Sequence, residues 1–231
     1  MSRATANIRD AFRESGREIE FEKGDCLIRG DDATSEVFLL LTGRLCVEGV
    51  APSGRHVIYE ELEPTTVFGE LGAIDGAPRS AFVTAASDGR ALAVPVDDFR
   101  EMMARNRELV DHVLSRMARA IRRSDDRVRE LCTMNAQARI ARELARMTKV
   151  GGATGSETIV PALPSHQELA ARCGTTRETV TRTLRVLDER GVVVREGALA
   201  KVQNLEALVT AFDDDGSPTD AQTGRPRRSR C

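Results

Sequence analysis

The hydrophobic period of this chain changes near residue 96, and that change limits the folds open to it. Before it, apolar residues fall in short runs of strand length, at 26–28, 37–41, 44–50, 56–62, 81–85 and 91–94. Turn signals separate the runs: Lys23-Gly24-Asp25, Gly30-Asp31-Asp32, Thr42-Gly43, Pro52-Ser53-Gly54 and Ser87-Asp88-Gly89. Such residues accept positive φ or bond their own backbone, so they punctuate strands. Many short strands at this spacing predict a β-barrel or jelly-roll sandwich. Residues 1–16 ahead of it read as a short polar helix with Ile8 and Phe12 on one face. From Asp97 onward the period is helical, and Asp97-Asp98 suits a helix start. The class expected is α+β.

A long helix is predicted over 106–134, ~40 Å at 1.5 Å per residue. Leu109, Val113, Met117, Ala120, Ile121, Val128 and Leu131 recur mostly at steps of three and four, a coiled-coil-like seam. Ser124 interrupts that seam. A polar seam residue is either a register device or a ligand contact. A further helix is expected over 135–147, then a Gly/Thr/Ser loop at 151–157 and a short strand at 158–161.

Ser165 then stands three residues before Glu168, the spacing of a capping box. The helix it opens ends at Cys173-Gly174, and Thr175 or Thr176 caps a second one through Arg190, stopped by Gly191. Two short helices joined by a tight Gly turn make a helix-turn-helix. Val180, Leu184 and Leu187 face its core, while Arg177, Glu178, Thr181 and Arg182 lie towards the other face. Arg suits guanine and Glu suits cytosine in a major groove. Residues 192–195 and 198–202, turned at Glu196-Gly197, read as a β-wing, and 205–212 as a final helix. Residues 213–231 have no apolar period and end in Arg225-Pro226-Arg227-Arg228-Ser229-Arg230, the pattern of a disordered tail.

One stretch carries different chemistry. Residues 68–83 hold three glycines, then Arg79 and Ser80. Glycine suits backbone that turns tightly or approaches a ligand closely. The short apolar turn after Gly69 has N–H groups that can face an anion. Arg79 offers a planar fork of donors that fits a phosphate. Glu70 offers an acceptor for sugar hydroxyls. Together they suit a small ribose phosphate.

Composition excludes several classes. A net charge of -2 is not that of a polybasic nucleic-acid binder, so any DNA contact must be local. Cys26, Cys46, Cys132, Cys173 and Cys231 form no CxxC pair, which suggests reduced thiols in a cytoplasmic protein. No apolar run approaches the ~20 residues a membrane span needs, and no signal peptide is visible. His56, His112 and His166 show no metal-ligand spacing, and neither GxSxG nor GxxxxGK[ST] occurs. No catalytic residue, metal or cofactor is expected.

The sequence FGELG at 68–72 followed by RSA at 79–81 resembles the phosphate-binding cassette of cyclic-nucleotide-binding domains in the CRP/FNR family of bacterial regulators. The RETVTR sequence at 177–182 matches that family's recognition helix, and the two motifs stand in the family's order. The resemblance implies a cyclic-nucleotide-binding β-barrel over 1–105, a dimerisation helix over 106–134, a winged helix-turn-helix over 135–212 and a disordered tail over 213–231. It implies that Gly69 and Glu70 contact the ribose and neighbouring phosphate of cyclic AMP or cyclic GMP, that Leu71 belongs to the same site, and that Arg79 and Ser80 hold the cyclic phosphate. It places Ser124 and Asp125 at the base, one from each subunit of a homodimer. Asp125 stands where the family usually has a hydroxyl or amide; an acceptor-only carboxylate suits guanine N–H donors or faces solvent. The resemblance further implies that Arg177, Glu178 and Arg182 read a TGTGA-like half-site of double-stranded DNA, that Thr176 and Thr179 contact phosphates, and that RNA polymerase is a further partner. Other family members sense oxygen through an iron–sulfur cluster or carbon monoxide through haem, but Cys26 alone cannot hold a cluster.

Overall fold

The structure, a computed structural model, describes residues 3–51, 56–151, 157–160, 163–196 and 199–212. The turn expected at 52–54, residues 152–156 of the expected loop, Pro161, the Gly197 end of the wing turn and the tail lie outside those residues. The chain divides into two compact units, one of residues 1–132 with 164–177 and the other of 133–163 with 178–231.

The first unit opens with helix α1 (Arg3–Ser15) and continues through eight strands: β1 (Arg17–Phe21), β2 (Cys26–Ile28), β3 (Glu36–Thr42), β4 (Leu45–Val50), β5 (His56–Leu62), β6 (Val67–Phe68), β7 (Phe82–Ala85) and β8 (Gly89–Pro95). They form two antiparallel four-stranded sheets, ordered β1-β8-β3-β6 and β2-β7-β4-β5. The sheets share one apolar core. Phe38, Leu40, Phe68, Ala91 and Ala93 from the first sheet meet Ile28, Leu45, Leu62, Val83 and Ala85 from the second. Phe38 and Phe68 are paired in register and stack at 5.1 Å between ring centroids. Each fully buried Phe or Leu contributes ~1.5–3 kcal/mol.

The first sheet is covered on its other face as well. Val37 and Leu39 of β3, and Leu92 and Val94 of β8, pack with Ile8 and Phe12 of α1 and with Phe99 and Met102 of α3 (Val96–Arg105). Successive strand residues point to opposite faces. Covering both faces therefore explains why β3 reads Val37-Phe38-Leu39-Leu40 without a polar break. In the second sheet, β5 mixes buried Ile58 and Leu62 with exposed His56 and Tyr59.

Helix α4 (Arg107–Thr133) runs 27 residues. Its first turns join the helix-covered core through Leu109 and Val113, with Met117 half-buried beside them. Beyond that the apolar residues change character: Leu114, Ile121, Val128 and Leu131 are exposed. Leu114, Ile121 and Val128 repeat at seven residues, with Met117, Ser124 and Leu131 at the intervening positions, a strict heptad seam.

The second unit contains α5 (Ala136–Arg146), capped by the Asn135 side chain, which accepts from Ala138 N at 2.8 Å. Strands β9 (Lys149–Gly151), β10 (Glu157–Val160), β11 (Val193–Glu196) and β12 (Leu199–Val202) form a sheet ordered β11-β12-β10-β9. Helix α6 (His166–Cys173) groups with the barrel unit, whereas most of α7 (Arg177–Glu189) groups with this sheet and with α8 (Leu205–Thr210). The expected capping box is half realised: Ser165 Oγ accepts from Glu168 N, while the Glu168 carboxylate turns to Arg172 at 2.9 Å.

Candidate functional site

The stretch 68–83 wraps a pocket in the first unit. After β6, Gly69 takes φ +74°, and a Cβ there would lie 2.8 Å from Arg79 Nη1 and 2.9 Å from Ile28 Cδ1. Only glycine combines that backbone with so close a guanidinium. A five-residue turn of helix, α2 (Leu71–Asp75), follows and ends at Gly76 in the left-handed region. The chain then returns to β7 pinned at Arg79, whose N–H donates to Asp32 O and whose carbonyl accepts from Asp31 N, both at 2.9 Å.

Five of the seven residues expected at the nucleotide, Gly69, Glu70, Leu71, Arg79 and Ser80, line this one pocket, against an apolar wall that includes Ile28, Val47 and Val83. Glu70 and Arg79 are 3% and 8% exposed, the rare case of buried charges. Both are held. Arg79 Nη1 donates to Gly69 O and Nη2 to Glu36 O, each at 2.7 Å. A guanidinium has five N–H donors, so these two bonds orient it and leave others for an anion. Burial lowers the Arg79 pKa, with the charges of Glu36, Asp32 and Glu70 opposing that shift. Burial raises the Glu70 pKa, and the positive charge of Arg116 works against it.

Arg116 is the pocket residue that sequence reasoning missed. It comes from α4, lines the pocket, bonds the Glu70 carboxylate directly and reaches Glu60 at 3.3 Å. A signal was present. Arg116 lies three residues after Val113 and seven after Leu109, on the face of α4 that turns to the barrel.

Ser124 and Asp125 are placed differently. Both are exposed on α4, Ser124 in the heptad seam and Asp125 next to it, and neither is in the pocket lining of this chain.

In the helix-turn-helix, Gly174 takes the left-handed conformation at φ +61° and its N–H caps Ala170 O, which ends α6 where the sequence predicted. Val180, Thr183, Leu184 and Leu187 are buried on α7, with Thr183 Oγ1 donating to Thr179 O at 2.8 Å. Thr176, Arg177, Glu178, Thr181 and Arg182 are exposed, and Thr179 is half-buried. Among the described residues no helix is long and apolar enough to cross a membrane, and no group of three or more His, Cys, Asp or Glu could hold a metal ion.

Residues 18–106 match the family model of the cyclic nucleotide-binding domain, and 138–211 match that of the Crp-like helix-turn-helix domain. A barrel of the first kind followed by a DNA-binding domain of the second defines a regulator of transcription. The chain belongs to the CRP/FNR family of transcription regulators. It is 25% identical over 191 residues to a CRP-like cAMP-activated global transcriptional regulator of Mycobacterium tuberculosis, covering 82% of this chain and 85% of that one. It is 29% identical over 188 residues to a cyclic AMP receptor protein of Thermus thermophilus, covering 78% and 84%. Among solved structures it resembles the c-di-GMP responsive global regulator CLP of Xanthomonas campestris, with a TM-score of 0.77 over 86% of this chain and 99% of that one. At 15% identity that likeness concerns the fold alone.

Proposed function

We propose that this protein is a homodimeric regulator whose binding to palindromic, TGTGA-like DNA is controlled by cyclic AMP or cyclic GMP. The observation that carries the reading is the single pocket gathering Gly69, Glu70, Leu71, Arg79 and Ser80 around a buried carboxylate and a buried guanidinium. Arg79 and Ser80 take the cyclic phosphate, since a charge-assisted fork in a buried site is the strongest donor available for it. Glu70, with Gly69 and Leu71, accepts from the ribose. The two relatives whose names tie them to cyclic AMP support the same ligand class.

The exposed heptad residues Leu114, Ile121 and Val128 pair α4 with its twin, which brings Ser124 and Asp125 towards the base, one from each subunit. Arg177, Glu178 and Arg182 read base edges, Thr181 lies beside them on the same face, and Thr176 and Thr179 position the helix on phosphates. In a twofold dimer the two recognition helices must sit about one duplex turn apart, ~34 Å. A nucleotide that prefers the dimer state meeting this spacing shifts the population and tightens DNA binding; equal affinity for both states would change nothing. RNA polymerase is the expected further partner of the DNA-bound dimer. Isothermal calorimetry with each nucleotide tests the site, and binding of neither refutes it.

One observation favours a second reading, a regulator of the same family that works without a nucleotide. Arg79 already has two of its donors on backbone carbonyls and Glu70 is paired with Arg116, so both side chains are held without a ligand. The same calorimetry separates the two readings.

A further inference from the structure

Strand β5 carries two adjacent carboxylates that serve different parts of the first unit. Glu60 accepts from Arg123 at 2.6 Å and from Arg116 at 3.3 Å, and Arg116 also holds Glu70 in the pocket. Glu61, one peptide further on, is bonded to Arg172 of α6. Arg127 of α4 closes the group: its Nη1 donates to Ile58 O at 2.6 Å and its Nη2 to Arg172 O at 2.8 Å. Two groups of ion pairs therefore meet at adjacent residues of β5: Glu70 and Glu60 on Arg116, and Glu61 on Arg172.

We propose that Glu61 of β5 and Arg172 of α6 form an ionic latch through which the state of the pocket reaches the first helix of the helix-turn-helix. The inference rests on the nucleotide reading above. Three features make this contact a switch rather than a surface decoration. First, it is largely shielded: the side chains of Arg172 and Glu61 are 12% and 29% exposed, and breaking a buried pair from one side leaves a costly lone charge. Second, Arg172 has an alternative. Glu168 lies one turn back on α6 at 2.9 Å, so Arg172 can leave Glu61 and stay paired. In this structure Arg172 Nη2 meets both carboxylates at once, and the latch opens when it keeps only Glu168. Third, the Cys46 thiol does not compete for the cation. Cys46 stands in register with Glu61 on the adjacent strand, and burial together with the Glu61 charge pushes its thiol up to about 11, so it stays protonated. Burial alone would disfavour the charge on Arg172, but its bonds to Glu168 and Glu61 prevail and raise its pKa.

A ligand that engages Glu70 competes with Arg116 for that carboxylate. Arg116 then shifts its charge towards Glu60, which changes the field at Glu61 one residue away and the balance of Arg172 between Glu61 and Glu168.

The test uses the full chain, wild type, Glu61→Gln and Arg172→Gln. Calorimetry gives the affinity for cyclic AMP and cyclic GMP. Fluorescence anisotropy with a labelled palindromic TGTGA duplex gives DNA affinity with and without nucleotide. Hydrogen exchange of the α6 amides reports the latch itself. The latch predicts nucleotide affinity in Glu61→Gln within about threefold of wild type, faster exchange in α6, and a nucleotide-induced gain in DNA affinity reduced about tenfold or more. Arg172→Gln should lose the same gain. A wild-type gain retained in Glu61→Gln overturns the latch while leaving the nucleotide reading intact. A wild-type chain that binds neither nucleotide overturns the reading itself, and the latch with it.

Discussion

The pocket and the recognition helix hold their charged residues in opposite ways. In the pocket, Glu70 and Arg79 are buried and fixed by internal bonds to Arg116, Gly69 O and Glu36 O. On α7, Arg177, Glu178 and Arg182 are exposed to solvent on a helix whose opposite face is buried. The difference fits what each region is proposed to recognise. A small anion is gripped best by donors that need no reorganisation in a site of low dielectric. A base edge in a wide groove is met by long side chains that reach outward, and their ordering costs free energy only when DNA arrives.

That contrast predicts unequal responses to mutation. The largest effect is expected for Arg79→Leu. It removes the proposed phosphate donor, so nucleotide affinity measured by calorimetry should fall below detection. It also leaves Gly69 O and Glu36 O without their donor, which should cost about 1–3 kcal/mol in denaturant melts. Retained affinity would remove Arg79 from the site. Next comes the seam: Ile121→Lys puts a charge at an exposed heptad position, and sedimentation should show a dimer for the wild type and a monomer for the variant. Glu178→Ala should cost ~1–3 kcal/mol for one base pair of the half-site and little for other sequences, read by anisotropy with substituted duplexes. An equal loss on all sequences would mean that Glu178 does not read bases. The smallest change is expected for Asp125→Ser. It should shift the ratio of cyclic AMP to cyclic GMP affinity by less than about tenfold, and an unchanged ratio would leave Asp125 as a solvent-facing residue.

Legibility in the sequence differed along the same line. The cassette was readable because its geometry demands particular residues: glycine at the left-handed position 69, and an Arg nine residues after Glu70. Helix α6 was readable because caps are local, and Ser165 and Gly174 both stand where the structure uses them. The long helix was legible as an apolar seam, but Leu114 was overlooked. Its role shows only when the heptad is phased from the exposed residues, while Leu109 and Val113 belong to the barrel core. Arg116 was missed for a related reason. Its spacing from Leu109 and Val113 marked its face of the helix, but its partners Glu60 and Glu70 lie 56 and 46 residues away and no local pattern names them. Strand β9 at Lys149–Gly151 lies at the edge of a region expected to be loop; it exists through pairing with β10, not through any period of its own.

The central claim is that one chemical signal in the barrel changes how tightly the chain holds DNA. Titrating the wild-type protein into a labelled palindromic TGTGA duplex, with and without cyclic AMP or cyclic GMP, tests it most directly. The account predicts that at least one of the two nucleotides tightens binding about tenfold or more. Identical affinity in their presence and absence would contradict it.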